Sequence, residues 1–324
     1  MSSRIQRRPA LKAGLIYTKR ADGFFVGRRE QGLLFQKSLA GLVVPLITGK
    51  YTSQDIALLL DQNCVDVAEI IEELDHAKML DHEVPINSGN EIRELQMLTH
   101  REDVFDGGRK ILQSRALARI DIYGCGLIGA FLARILAASG IGELRLFDQR
   151  SISSQHLPIT TLESIGLNAA TDLGRALSRD YPKVLTKKIK EPALTIITRQ
   201  PSPTEILTWM NFSLAHLLIE SRGDCVEIGP LVLPGRSSCL RCLTLDRLDH
   251  DPNWYSVELC GQTEHEPPTA LAQVAAGLSA LAALAKVDSP EAISLVDTTL
   301  RVGATMAISA TTRRRHPRCG CSWT

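Results

Sequence analysis

Apolar positions follow two different patterns along the chain. Between Ala10 and Phe35, the runs LIY and FFV flank the turn-forming Ala21-Asp22-Gly23, and a third run, Gly32-Leu33-Leu34-Phe35, follows closely. Short apolar runs bounded by turn residues predict strands. Helical spacing takes over next, in Leu39 to Ile47, in Ser53 to Leu60 behind Thr52 or Ser53 as N-cap, and in Val65 to Met79. In the last of these, Val67, Ile70, Ile71, Leu74 and Leu80 recur at intervals of three and four. Three strands with three helices predict a winged-helix-like domain over residues 1–86. Residues 87–116, with the charged stretch RELQMLTHRED, read as a connector carrying one helix. From Ala118 strands and helices alternate: a strand to Tyr123, the turn GCGLIG, a helix from Ala130 to Gly140 and a strand from Glu143 to Asp148. Helices over 169–181 and 204–212 and strands over 194–197 and 216–220 continue the alternation. That order predicts an α/β fold over residues 117–324, a parallel, doubly wound, Rossmann-like sheet.

A chain of 324 residues is long for one core and suits two domains. Its 44% hydrophobic and 23% charged residues are those of a globular protein. Lys and Arg number 37 against 36 for Asp and Glu, so no nucleic-acid partner is indicated. The third helix, DVAEIIEELDHAKMLDHE, is acidic and would repel phosphate, which disfavours DNA binding by the winged-helix-like unit. The basic start MSSRIQRRPALKAG lacks the apolar stretch of a secretory signal. Ala270 to Ala285 carries Gln273 and Ser279 and reads as a buried helix, so no membrane partner is expected. Eight cysteines, four of them in two tight pairs, point to reduced thiols and a metal in the cytoplasm.

Gly124, Gly126 and Gly129 fit the G-x-G-x-x-G pattern between a strand and a helix, where missing side chains let backbone amides approach a phosphate. Asp148 closes the next strand, where a carboxylate accepts hydrogen bonds from a ribose. The alternative is that the glycines serve only tight strand–helix packing. Cys239-x-x-Cys242 and Cys319-x-Cys321 supply four thiolates for a tetrahedral zinc site. With every position a protein ligand, the ion is structural, and His316 is a possible substitute in the tighter CxC half. Cys260 is a lone loop cysteine. Cys64, Cys125 and Cys225 read as small core residues, and His76, His82, His100 and His250 as solvated.

The stretch from Ala118 through Asp148, followed by Gly235-Arg236-Ser237-Ser238-Cys239-Leu240-Arg241-Cys242 and a C-terminal cysteine pair, resembles the ThiF/ubiquitin-activating superfamily of ATP-dependent adenylyltransferases. The specificity lies in the order of the motifs. Against that family, Arg150 replaces a second Asp, Ile159 stands where a phosphate-binding Arg belongs, and a Lys expected near Leu167 is missing. Thr198-Arg199-Gln200 stands where the family carries metal-binding carboxylates. Adenylation needs the triphosphate charge countered, so these losses imply that ATP is not bound and that the chain has no catalytic residues. Arg150 and Arg199 offer another route to an anion, which keeps an active ATP-dependent adenylyltransferase of a peptide carboxylate or amide as the alternative.

With its N-terminal unit and the ending HPRCGCSW, the chain further resembles the leader-peptide-binding proteins of ribosomally made, thiazole/oxazole-modified microcins (bacteriocins). That resemblance implies a precursor recognition element in which a leader peptide adds as a strand beside Leu33, Leu34 and Phe35 and against Val67, Ile70, Ile71 and Leu74. It also implies a partner YcaO-type cyclodehydratase, to which the chain presents the peptide, and allows a homodimer packed through the Ala-rich 269–286 helix.

Overall fold

The structure is a computed structural model that describes residues 8–28, 31–81, 89–101, 103–104, 106–156, 159–184, 191–254, 266–289, 291 and 295–321. It divides into two compact units, Met1–Gln113 and Ser114–Thr324. His82 and Cys260 lie outside the described residues.

In the first unit, β1 (Ala10–Leu11) pairs antiparallel with β5 (Leu80–Asp81). A separate antiparallel sheet takes the order β2 (Ile16–Arg20), β3 (Gly23–Gly27), β4 (Gly32–Phe35). The predicted Leu39–Ile47 helix is shorter, with α1 confined to Ala40–Val43 before a tight turn over Val44–Leu46. Pro45 explains the break, because it has no N–H to continue the ladder. α2 (Ser53–Leu60) starts at a capping box in which Thr52 Oγ1 accepts from the Asp55 N–H at 3.1 Å and the Asp55 carboxylate accepts from the Thr52 N–H at 2.9 Å. α3 (Cys64–His76) is capped by Asn63. Its apolar stripe, Val67, Ile70 and Leu74, closes a core with Val26, Phe35, Val43 and Ile56. Cys64, expected inside, is exposed at the first turn of α3.

The expected connector packs with this first unit. α4 (Asn90–Leu98) buries Leu95 and Leu98, and its Gln96 backbone lies so close to Gly14 that a Cβ there would meet the carbonyl oxygen at 2.6 Å. The Arg109 guanidinium, at the start of α5 (Arg109–Leu117), donates to the Asp81 carboxylate from Nε at 2.7 Å.

The second unit is built on a seven-stranded sheet in the order β12-β11-β10-β9-β8-β6-β7. β7 (Glu143–Phe147), β6 (Arg119–Tyr123), β8 (Leu194–Ile197) and β9 (His216–Arg222) are parallel, as the alternation predicts. The other half departs from the expectation of a parallel sheet. β10 (Cys225–Val232), β11 (Thr298–Gly303) and β12 (Ile308–Thr312) continue it in antiparallel pairings. Successive side chains on a strand point to opposite faces, so Leu217 and Ile219 enter one core while Leu218 enters the other. On the first face lie α6 (Leu127–Ala138), α7 (Ala169–Asp180) and α10 (Thr269–Asp288); on the second lie α8 (Pro203–Asn211) and α9 (Leu240–His250).

α10 is long and apolar enough by length and composition to cross a membrane, but half of its most apolar stretch is buried within the unit. Its small face, Ala272, Ala275, Ala276, Ala280 and Ala283, is buried in the same core as α6, which removes that face from a dimer contact of the kind expected. At its end Asp288 accepts from buried Arg115 at 2.8 and 2.7 Å, and Arg115 also donates to the Ser139 carbonyl at 3.1 Å. One guanidinium thus fastens the ends of α5, α6 and α10. Leu136 is fully buried in α6. Leu136→Ala is expected to lower unfolding stability by about 2–5 kcal/mol in urea denaturation, and a change below about 1 kcal/mol would show that this face is loosely packed.

Candidate nucleotide site and cysteine cluster

The parallel strands β6, β7 and β8 end together, and the loops that leave them form the site, as expected at the carboxyl edge of an open sheet. The chain turns out of β6 at Gly124, whose φ of +107° suits only glycine. A Cβ there would also lie 2.5 Å from Thr198 Oγ1. That hydroxyl donates to the Gly124 carbonyl at 2.9 Å, so Thr198, at the end of β8, clips the loop in place. Gly126 then caps α6, and a Cβ on Gly129 would sit 1.9 Å from the Gly124 oxygen. Gly129 therefore serves the packing alternative, letting the helix lie against its own loop.

Gly126 has a different neighbour. A Cβ on it would lie 1.8 Å from the Glu266 carboxylate, whose other oxygen accepts from the Leu127 N–H at 3.0 Å. The amide end of α6 thus already receives an anion in space that only glycine leaves free.

Asp148, directly after β7, is buried and faces the same loop. One oxygen accepts from the Cys125 N–H at 2.6 Å, and both accept from the Arg150 guanidinium at 2.7–3.2 Å. Burial alone would raise this carboxyl, but Arg150 and the two backbone amides outweigh it and hold the group below its ordinary value. Burial also pushes the Cys125 thiol up to about 12, which makes it an inert core thiol. Arg199 is engaged as well, with Glu205 at 3.1 Å and over the Tyr123 ring at 5.6 Å.

Beside the loop opens a cavity of about 270 Å³. Cys125 and Ala130 line it from the loop side, Ile159 from the segment after β7, and Arg134, Arg175 and Arg179 from α6 and α7. Ile159, expected where a phosphate-binding Arg belongs, lines this cavity as an apolar side chain. Leu167, predicted to align with a lysine, is exposed and does not line the cavity. Sequence reasoning missed Glu266, His156 and the three arginines. Arg175 and Arg179, four apart on α7, share one helix face, a spacing that was legible; nothing in the sequence marked Glu266.

On the opposite face of the sheet, Cys239, Cys242, Cys319 and Cys321 bring their sulfurs within 4.8 Å of one another. Neighbouring sulfurs lie 3.4–3.8 Å apart. A tetrahedron with metal–sulfur bonds of about 2.3 Å has edges of about 3.8 Å, so the cluster fits a zinc ion. Hydrogen bonding from the Cys239 thiol favours the Cys242 thiolate, lowering it to about 4. His316 is outside the cluster, bonded through Nε2 to Asp249 at 2.8 Å. Of the other cysteines, Cys125 and Cys225 are buried as expected.

In the first unit, Phe35, Val67, Ile70 and Leu74 are core residues and offer no surface to a peptide, which removes them from the predicted contact set. Leu33 and Ile71 are half-buried, and Leu34 is exposed on β4, an edge strand of its sheet.

No protein-family model matches the chain, and no curated protein matches it in sequence. Its fold is nevertheless shared with solved structures. E. coli MccB with MccA-N7isoASN superposes with a TM-score of 0.61 at 16% identity, covering 98% of this chain and 99% of that one. E. coli MccB with ATP gives 0.61 at 17% identity, covering 97% and 99%. PaaA gives 0.57 at 13% identity, covering 76% and 92%. At these identities the likeness establishes an α/β fold of the MccB type. MccB, the microcin C7 biosynthetic enzyme, has also been solved with AMPCPP and with N-formylated MccA.

Two expectations are thereby overturned: that the chain is a non-adenylating presenter for a YcaO-type partner, and that it does not bind ATP. Both rested on charges missing from one loop, whereas the architecture as a whole is one solved with ATP and with N-formylated MccA in MccB. The physical reason lies in the cavity. Its basic side chains, Arg134, Arg175 and Arg179, come from α6 and α7, where they pair with Asp172 and Asp180, so three positive charges face two acids.

Asp148 yields a pH prediction. Its folded carboxyl titrates below the ordinary 3.8, so its stabilising contribution is complete above that pH and is lost as the pH falls through the lower folded value. Asp148→Asn is expected to lower the urea midpoint at neutral pH and to converge on the parent chain in acid. An equal deficit at both pH values would refute the linkage.

Proposed function

We propose that the chain binds ATP on the glycine loop and adenylates a carboxylate or side-chain amide of a ribosomally made peptide. In that reaction a peptide oxygen bonds to the α-phosphorus as the bond to pyrophosphate breaks. The observation that carries the reading is the amide end of α6 receiving a carboxylate where Gly126 leaves room, since a site that accepts a carboxylate's charge and geometry also suits a phosphate. Asp148, which faces the same loop from the end of β7, would hold the ribose once Arg150 turns aside. Arg134 and Arg175 would counter the charge of the polyphosphate from the cavity wall. The fold shared with MccB, solved with ATP and with MccA, supports both substrates.

The first unit is read as a winged-helix-like element that recognises the peptide. The open edge of β4 offers unpaired backbone groups for an added strand, with Leu33, Leu34 and Ile71 as the apolar surface beside it. The four cysteines hold one zinc ion, which ties the C-terminal segment to α9 and has no open position for catalysis.

Two measurements test these assignments. ATP–pyrophosphate exchange is expected only when a peptide substrate, sought among short peptides encoded beside this chain, is present, and Gly129→Ala should abolish it by forcing the loop from α6. Exchange that survives Gly129→Ala would place the chemistry elsewhere. Elemental analysis is expected to find about one zinc per chain, lost together with thermal stability in Cys242→Ser. A metal-free purified chain of unchanged melting temperature would overturn the zinc assignment.

A further inference from the structure

Glu266 is the carboxylate that marks the anion position in the reading above, and its own part in the nucleotide-free protein goes further. Its carboxylate accepts from the Leu127 N–H at 3.0 Å and lies over Gly126, with one oxygen 1.8 Å from where a Cβ would be. The side chain is largely buried, and the nearest ring nitrogen, His156 Nε2, is 3.7 Å from the carboxylate. The group sits at the positive end of the α6 dipole, where a negative charge is favoured.

The arm that delivers the carboxylate is short and stiff. Glu266 precedes Pro267 and Pro268, and Pro268 is the N-cap of α10. A residue before proline is confined to extended conformations, and proline fixes its own φ. α10 is in turn held in the core by its alanine face and by the Arg115–Asp288 pair. A charged group on such an arm reaches the loop with little conformational entropy to lose, so it competes at a high effective concentration.

The second anchor point of the site is occupied in the same way, since Arg150 covers both oxygens of Asp148. We propose that Glu266 is an internal competitor for nucleotide: its carboxylate takes the phosphate position on the glycine loop of the nucleotide-free protein and must leave when a polyphosphate enters. This inference rests on the ATP reading. The competition sets a threshold, because apparent affinity falls by the fraction of molecules whose loop is already filled. A polyphosphate prevails through its larger charge, whereas singly charged anions are turned away.

The test is calorimetric titration of the full-length chain with ATP and, separately, with AMPCPP, in the parent and in Glu266→Gln and Glu266→Ala. The Gln variant keeps the side-chain shape without the charge and serves if the Ala variant folds poorly. Both variants are expected to bind about three- to tenfold more tightly than the parent. Equal affinity in all three would overturn the competitor role and leave the nucleotide site standing. Weaker binding in the variants would also overturn it, by making Glu266 a contributor to binding. Absence of binding in all three would instead defeat the ATP reading, and the inference with it.

Discussion

At Gly124 the backbone leaves β6 with a φ of +107°, and the arrangement of the second unit follows from that turn. A side chain at this position would strain the backbone and strike Thr198, so only glycine lets the chain reverse here. The reversal aims the amide end of α6 back across the carboxyl edge of the sheet. There Asp148 meets the Cys125 N–H, Thr198 meets the Gly124 carbonyl, and α6 comes close enough to its own loop that Gly129 cannot carry a Cβ. The direction of α6 then decides where its buried face, Leu132, Ala133 and Leu136, meets α10.

Charge at this edge is arranged as pairs. Arg150 lies on Asp148 and Arg199 on Glu205. Each pair removes the cost of a charge held partly away from water and satisfies several hydrogen-bonding atoms together. A ligand that takes one member must therefore compensate the other. The cavity beside the glycine loop follows the same rule, with Arg134, Arg175 and Arg179 paired to Asp172 and Asp180. The field in such a cavity is the sum of its acids and bases rather than the charge of one position.

The cysteine cluster lies on the other face of the sheet, within a core shared by Trp209, Leu218 and Leu240. None of the four cysteines lines the cavity beside the glycine loop. The cysteine cluster gathers the start of α9 and the C-terminal segment, two pieces of chain far apart in sequence, around four sulfurs.

Local chemistry was legible in the sequence. Strand and helix periods located β2 to β4, α2, α3, and β6 to β9, because each rests on a pattern that neighbouring residues can express. The glycine pattern, Asp148 and the four cysteines were legible for the same reason. The sequence by itself determined these local elements and the residues able to bind an anion or a metal. Tertiary structure alone decided the antiparallel half of the sheet, since the alignment of β11 comes from β10, a partner distant in the chain. It also decided that Val67, Ile70 and Leu74 belong to a core, because apolar spacing specifies a buried face without saying what covers it. Finally, it brought Glu266 to Leu127 and arginines from two helices to one cavity; long-range juxtapositions of charge leave no period in a sequence and exist only once the chain has folded.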